Sequence, residues 1–191
     1  MPLHVVSHPV AEHALASLRA RQTTPPVFRR LARRVSLVLA AEATRDLALA
    51  DTEVETPLEG ARVKRLEGRV VAVPVLRAGL GMLDAFLELV PAAQVGYVGL
   101  ERDEETAVAR TYYEKIPADL DEAAVFLLDP MLATGGSAAS AIAGLVDRGA
   151  RAVRLLSIVA APEGVAHLEQ AAPNTEIFTV AVDRELDARK Y

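Results

Sequence analysis

Three times in this chain a mainly apolar run of strand length, unbroken in the first two cases, ends in a short loop, and a helix-like segment follows. Val70–Leu76 leads through Arg77-Ala78-Gly79-Leu80-Gly81 to an apolar segment over 82–89. Val125–Leu128 leads through a loop to Ala138–Val146, and the run 152–159 leads through Ala160-Ala161-Pro162-Glu163-Gly164 to a segment ending near Ala172. A continuous apolar run reads as a strand covered on both faces, the situation of a parallel sheet, and parallel strands need helical crossovers. The pattern therefore predicts an α/β fold with a mostly parallel central sheet and helices on both faces.

The middle unit carries the most chemistry. After Val125-Phe126-Leu127-Leu128 come one carboxylate, Asp129, and then Pro130-Met131-Leu132-Ala133-Thr134-Gly135-Gly136-Ser137. Two glycines let the backbone turn and approach a ligand with no Cβ in the way. The helix that follows offers free N–H groups and the positive end of its dipole to an anion. Thr134 and Ser137 add hydroxyl donors, and Ser137 is a candidate N-cap. The loop is thus suited to a phosphate monoester. Asp129 would repel a phosphate, so it suits sugar hydroxyls, or water around a bound Mg²⁺. A ligand with both a phosphate and a diol is a ribose 5-phosphate. A generic glycine turn with Asp129 capping the strand is the alternative, and the ordered set of run, acid, Thr-Gly-Gly-Ser and helix is more specific than that.

Arg77 stands at the carboxyl end of the Val70–Leu76 run, where open α/β sheets place their ligands. Its guanidinium can chelate pyrophosphate oxygens in a planar fork; the alternative is a salt bridge to an acid such as Asp84. Pro74 is expected near the strand's end, because it cannot donate to a ladder. A further strand over 95–100 runs into Glu101-Arg102-Asp103-Glu104-Glu105-Thr106, a charged stretch without periodicity, with Arg102 placed as Arg77 is.

Residues 129–137 resemble the phosphoribosyl-pyrophosphate (PRPP) loop of the type I phosphoribosyltransferases, in the form found in the uracil branch. The segment Leu76–Gly81 resembles the pyrophosphate motif of the same branch, and the resemblance runs from about Leu3 to Tyr191. The wider family has a second acid after the first and often an Asp before the Thr that serves as a base. Here those positions are Pro130 and Ala133, which argues against a purine or orotate enzyme. The resemblance implies transfer of a phosphoribosyl group from PRPP to uracil, giving UMP and pyrophosphate, with Mg²⁺ bound through PRPP. It implies that Asp129, Pro130, Met131, Leu132, Ala133, Thr134, Gly135, Gly136 and Ser137 bind the ribose phosphate, that Arg77 and Arg102 bind pyrophosphate, and that Arg102 and Asp129 are catalytic. It also implies a mobile hood over about 102–118, in which Tyr112 and Tyr113 either take part or merely pack, and a homodimer formed with the help of a hairpin arm. The uracil-recognition segment is expected just after Tyr191. GTP control is compatible with the family and unreadable from these residues. A non-catalytic PRPP sensor, or an enzyme for another base, is the alternative.

The remaining segments frame these units. Leu3–Val6 reads as a short strand, and Ser7-His8-Pro9 opens a helix to about Arg19. His4, His8 and His13 do not share one helix face, which disfavours a metal site. Pro25-Pro26 begins a helix predicted to reach Ala50, with Leu31, Val35 and Val38 on one face and Arg29, Arg30, Arg33 and Arg34 off it. Glu42, Arg45 and Asp46 are placed for local ion pairs. Segments 52–58 and 61–66 form a hairpin around Glu59-Gly60, the arm of about 51–67. His167 falls mid-helix and reads as structural, and Glu176–Val182 is the last strand.

At 191 residues the chain is one domain's length, and a net charge of −5 disfavours a nucleic-acid footprint despite the Arg-rich helix. There is no cysteine, which excludes thiol chemistry. No leader and no membrane-length apolar stretch is recognisable, and a cytoplasmic location is the expectation.

Overall fold

The computed structural model describes residues 2–102 and 109–186. The chain opens with β1 (Leu3–Val5) and α1 (Pro9–Leu18), whose N-cap is His8: its Nδ1 accepts from the Val10 N–H. Helix α2 (Pro25–Ala43) buries Leu31, Val35 and Leu39 and leaves Arg29, Arg30, Arg33 and Arg34 exposed. It stops at Ala43, seven residues short of the predicted end. The reason lies 111 residues away: Arg154 donates to the Ala43 carbonyl at 2.7 Å and grips Asp46 through both terminal nitrogens at 2.6 and 2.7 Å. That fork caps the helix end and turns the chain outward. Asp46 thereby leaves the local ion-pair set, and Arg45 pairs with Glu42 alone.

Strands β2 (Leu49–Glu55) and β3 (Gly60–Leu66) form a separate two-stranded antiparallel sheet with Leu49 opposite Leu66. Thr56 closes its turn by donating to the Glu59 carbonyl. No residue of either strand is buried. The arm therefore has no core of its own.

The main sheet follows. β4 (Arg69–Leu76) leads through α3 (Leu80–Leu89) to β5 (Gln94–Val95) and β6 (Tyr97–Arg102). β7 (Ala109–Lys115) runs back antiparallel to β6. β8 (Ala123–Leu128) leads through β9 (Met131–Leu132) and α4 (Gly136–Val146) to β10 (Val153–Ala160). α5 (Pro162–Ala171) and β11 (Glu176–Val182) complete the described fold. The strand order is β1-β11-β10-β8-β4-β6-β7, with β5 beside β4 and β9 beside β10. Apart from β6–β7, every pairing in this sheet is parallel, as the apolar runs predict.

Side chains alternate across the sheet, and both faces are dry. Val70, Ala72, Phe126, Leu128, Leu156 and Phe178 pack under α1, α2 and α3. Val71, Val73, Val125, Leu127, Leu155 and Ile177 pack under α4 and α5. Pro74 stands two residues before the end of β4, opposite Leu128. Part of the predicted hood is strand: Thr111, Tyr112 and Tyr113 lie in β7, and the Tyr112 ring covers Gly99, where a Cβ would come within 2.6 Å of Tyr112 Cζ. Residues 103–108 and the side chain of Arg102 lie outside the described residues, as do 187–191. No helix among the described residues is long and apolar enough to cross a membrane.

Candidate active site

Strand order decides where a ligand can sit. β4 and β8 are neighbours, but α3 packs on one face and carries the chain to β6, whereas α4 packs on the other and carries it to β10. The two connections part at the carboxyl ends of β4 and β8. This leaves a crevice at the topological switch point, the usual ligand position in such sheets. The loops that open into it are 77–79 and 129–137.

The first loop is drawn tight against the second. The Gly79 N–H bonds the Val75 carbonyl at 2.8 Å, and a Cβ at Gly79 would come within 2.3 Å of the Leu128 carbonyl. The Leu76–Arg77 peptide is cis, and the Arg77 side chain is exposed beyond it. Among the described residues Arg77 has no ion-pair partner, Asp84 included.

The second loop begins as an interruption. β8 pairs with β10 through Leu128–Leu156, and β9 resumes in the same register at Met131–Val159. Between them Asp129 and Pro130 bow out with their backbone groups satisfied. The Asp129 N–H donates to the Leu156 carbonyl at 3.1 Å, Ser157 Oγ donates to the Asp129 carbonyl at 2.6 Å, and the Pro130 carbonyl accepts from the Ile158 N–H at 3.0 Å. The Asp129 carboxyl is largely withdrawn from water, which pushes its pKa up to about 6 against the opposing pull of the Met131 N–H. Ala133 supplies no acid or base at the position where the resemblance led one to look for a carboxylate.

The loop ends in a glycine-lined helix start. Gly135 has φ +81°, a left-handed conformation that a Cβ disfavours, and is the N-cap of α4. Ser137 is therefore the second residue of the helix and not its cap, a correction to the sequence expectation; no side chain caps this end. The Ala139 N–H makes the first intrahelical bond, to the Gly135 carbonyl at 2.8 Å, so the N–H groups of 136–138 precede the ladder. Gly164 of α5 lies against the loop: a Cβ there would come within 2.4 Å of the Ala133 carbonyl, and one on Gly135 within 2.9 Å of the Gly164 carbonyl. The Ala161 N–H holds the Leu132 carbonyl at 2.7 Å.

Two cavities adjoin the loop. One, of about 690 Å³, is apolar and lies under α1, α2 and α3, with Leu15, Phe28, Met82 and Pro130 among its walls. The other, of about 550 Å³, lies between Met131–Leu132, Ala160–Ala161 and residues 182–186. Arg19, Met131, Val159 and Asp183 border both. The 550 Å³ cavity is lined by Leu132 of the same loop, and β8 lies between its β10 and β11 walls and Arg77 at the end of β4.

The three N-terminal histidines separate into structural roles. His4 stacks on Phe178 with ring centroids 4.4 Å apart and pairs with Glu176, His8 caps α1, and His13 lies on the exposed side of α1. No group of three His, Cys, Asp or Glu side chains among the described residues could hold a metal ion. His167 packs beside Gly135, with its Cβ 3.2 Å from where a Cβ on that glycine would sit. Sequence reasoning missed Ser157, Gly79 and Gly164 as supports of the site. Each acts on a segment distant in the chain; Gly79 and Gly164 fall in loops the sequence singles out, but their close approach to Leu128 and to Ala133 has no local signal.

The sequence model of the family described as uracil phosphoribosyltransferase matches residues 5–191. A Staphylococcus epidermidis protein of that name is 46% identical over 190 residues, which is 99% of this chain and 91% of the relative. One from Latilactobacillus sakei is 47% identical over 188 residues, 98% of this chain and 90% of the relative. Among solved structures, the AQ2163 protein from Aquifex aeolicus superposes with a TM-score of 0.94 at 35% identity, covering 99% of this chain and 91% of that one. A hypoxanthine phosphoribosyltransferase from Staphylococcus aureus gives a TM-score of 0.57 at 12% identity, over 85% of this chain and 82% of that one, a likeness of fold alone. With the crevice built as described and the match extending over almost all of its length, the chain belongs to the uracil phosphoribosyltransferase family.

Proposed function

We propose that the protein transfers the phosphoribosyl group of PRPP to uracil, forming UMP and pyrophosphate. The observation that carries this reading is the crevice at the ends of β4 and β8, with an exposed arginine on one side and an acid followed by a glycine-lined helix start on the other. The N–H groups of 136–138 and the hydroxyls of Thr134 and Ser137 seat the 5-phosphate. The Asp129 carboxylate accepts hydrogen bonds from the ribose hydroxyls. Pyrophosphate then lies toward β4, under Arg77 and Arg102.

Displacement at the anomeric carbon brings the acceptor in opposite the leaving group. With pyrophosphate over β4 and ribose over β8, the base belongs over β10 and β11, where the 550 Å³ cavity lies. The C1–O bond breaks with its electron pair going to pyrophosphate, and uracil N1 forms the new C–N bond. Negative charge grows on pyrophosphate as it leaves, so fixed cations aimed at it favour the transition state over the ground state. Ala133 accepts no proton, so the N1 proton goes to water or to a group beyond residues 129–137, or leaves late in the reaction.

No group of three His, Cys, Asp or Glu among the described residues could hold a Mg²⁺ by itself, and Asp129 fits an ion that arrives on pyrophosphate and keeps most of its water. Asp129 would contact that hydrated ion, which supplies charge neutralisation on the departing group. The arm, with no buried residue and with Leu49, Leu58 and Leu66 exposed on its surface, supports a homodimer in which it docks on a second copy.

Conversion of radiolabelled uracil to UMP, with and without PRPP, tests the reading directly. Arg77→Ala and Arg102→Ala should each lower kcat/KM by about 10²-fold, the usual effect of removing one transition-state contact, with the fold intact by circular dichroism. Wild-type protein that leaves uracil untouched in the presence of PRPP and Mg²⁺ would refute it.

A further inference from the structure

Beyond β11 the chain lines the 550 Å³ cavity through residues 183–186, and it is tied there at three points. The Asp183 N–H donates to the Ala160 carbonyl at 2.8 Å, extending the pairing with β10. The Asp183 carboxylate accepts from the guanidinium of Arg19, the C-cap residue of α1. The Leu186 N–H donates to Glu163 Oε1 at 2.9 Å, from the first turn of α5. α1 packs on one face of the sheet and α5 on the other. Residues 183–186 are thus straddled by one side chain from each helix layer.

Among the described residues neither side chain has a second hydrogen-bond or ion-pair partner. Both lie outside the loops 77–79 and 129–137, and Arg19 is 48% exposed with its partner at 45%. An exposed ion pair of this kind adds little to global stability. A segment past the last strand, however, frays unless it is tied down, and this one forms a wall of the cavity. We propose that Arg19 and Glu163 are positioning residues: they hold residues 183–186 as the wall against which the acceptor base binds, and they act on the base without acting on the phosphoribosyl donor. The inference rests on assigning this cavity to the base.

The test is steady-state kinetics on the full-length protein, with uracil and PRPP varied separately. Arg19→Asp and Glu163→Ala should each raise the KM for uracil about fivefold or more, the loss expected for one such contact, with the KM for PRPP held within about twofold and Tm nearly unchanged. Glu163→Gln should behave as wild type, because its amide oxygen accepts the same N–H. The reversed pair Arg19→Asp with Asp183→Arg should recover most of the loss. Should Arg19→Asp fold poorly, the Glu163→Ala and Glu163→Gln pair decides alone. An active wild type with an unchanged uracil KM in the variants would overturn the proposal. So would a parallel rise in both KM values, the mark of general loosening. A wild type that converts no uracil defeats the base assignment itself, a distinct outcome.

Discussion

Gly79 offers the sharpest test of how the two loops are coupled. Its φ of −60° and ψ of −22° are ordinary helical values at the N-cap of α3, so glycine is not needed there for its backbone freedom. By conformational preference alone, alanine would be favoured by about 0.5–1 kcal/mol. Space decides otherwise. A Cβ would stand 2.3 Å from the Leu128 carbonyl oxygen, 2.7 Å from the Val75 nitrogen and 2.8 Å from the Val75 oxygen. All three are backbone atoms of β8 and β4, so no side chain can swing aside. Relief requires the strand ends to part by about 1 Å, and forced overpacking of this kind costs about 1–3 kcal/mol. Leu128 immediately precedes Asp129, and Val75 is two residues before Arg77. Separation therefore misplaces the acid and the cation relative to each other, and a shift near 1 Å in a catalytic constellation costs about 10²-fold in rate. Gly79→Ala should lower kcat/KM for UMP formation by about that factor, and lower Tm by about 3–8 °C for a domain of this size. Gly144→Ala is the control. It lies inside α4, where a Cβ meets only side-chain ends, Glu114 Oε1 at 3.4 Å and Arg148 Nη1 at 3.9 Å, and it should stabilise by about 0.5–1 kcal/mol. A Gly79→Ala enzyme with wild-type Tm and kcat/KM would refute the claim that these loops are locked together through backbone contact.

Asp129, held near pKa 6 by withdrawal from water, binds its proton more tightly in the folded state than in the unfolded one. Between about pH 4 and pH 6 the native state thus holds the extra proton, and this group's contribution to stability falls as pH rises through that window. Asp129→Asn should be more stable than wild type at pH 7.5 by about 1–3 kcal/mol, the difference vanishing below about pH 4 in urea titrations. Because the ionised form accepts the ribose hydroxyls, kcat/KM for PRPP should rise through about pH 6 in wild type, and the Asn variant should be nearly inactive with no such limb. Ser157→Ala removes the donor to the Asp129 carbonyl from a fully buried site. It should cost about 1–2 kcal/mol by chemical denaturation and raise the KM for PRPP. Arg154→Lys keeps the charge but loses the two-nitrogen grip on Asp46 while the Ala43 carbonyl needs its cap. It should cost about 1–2 kcal/mol, and amide exchange should show the loss at the end of α2.

Much of this was legible in the chain itself. Runs such as Val125–Leu128 and Val70–Leu76 announce strands covered on both faces, because such a strand must be apolar at every position and the period of the pattern is a local property. The order of acid, Thr-Gly-Gly-Ser and helix announces a glycine turn into a helix start, because helix starts and glycine turns are built from neighbouring residues. Arg77 could be placed at the ligand edge for the same reason. What the sequence could not show depends on groups far apart in the chain. α2 ends at Ala43 because Arg154 reaches it from β10, whereas local propensity would carry the helix on to Ala50. Residues 109–115, expected within the hood, form β7, because pairing with β6 satisfies their backbone and Gly99 makes room for Tyr112. Gly79 and Gly164 look like ordinary loop and helix glycines until β8 and the loop 132–133 are brought against them. The ionisation of Asp129 follows from the burial around it, and the cavity wall at 183–186 from two helices on opposite faces. Periodicity and turn chemistry are written residue by residue; close approach, desolvation and long-range capping exist only once the chain has folded back on itself.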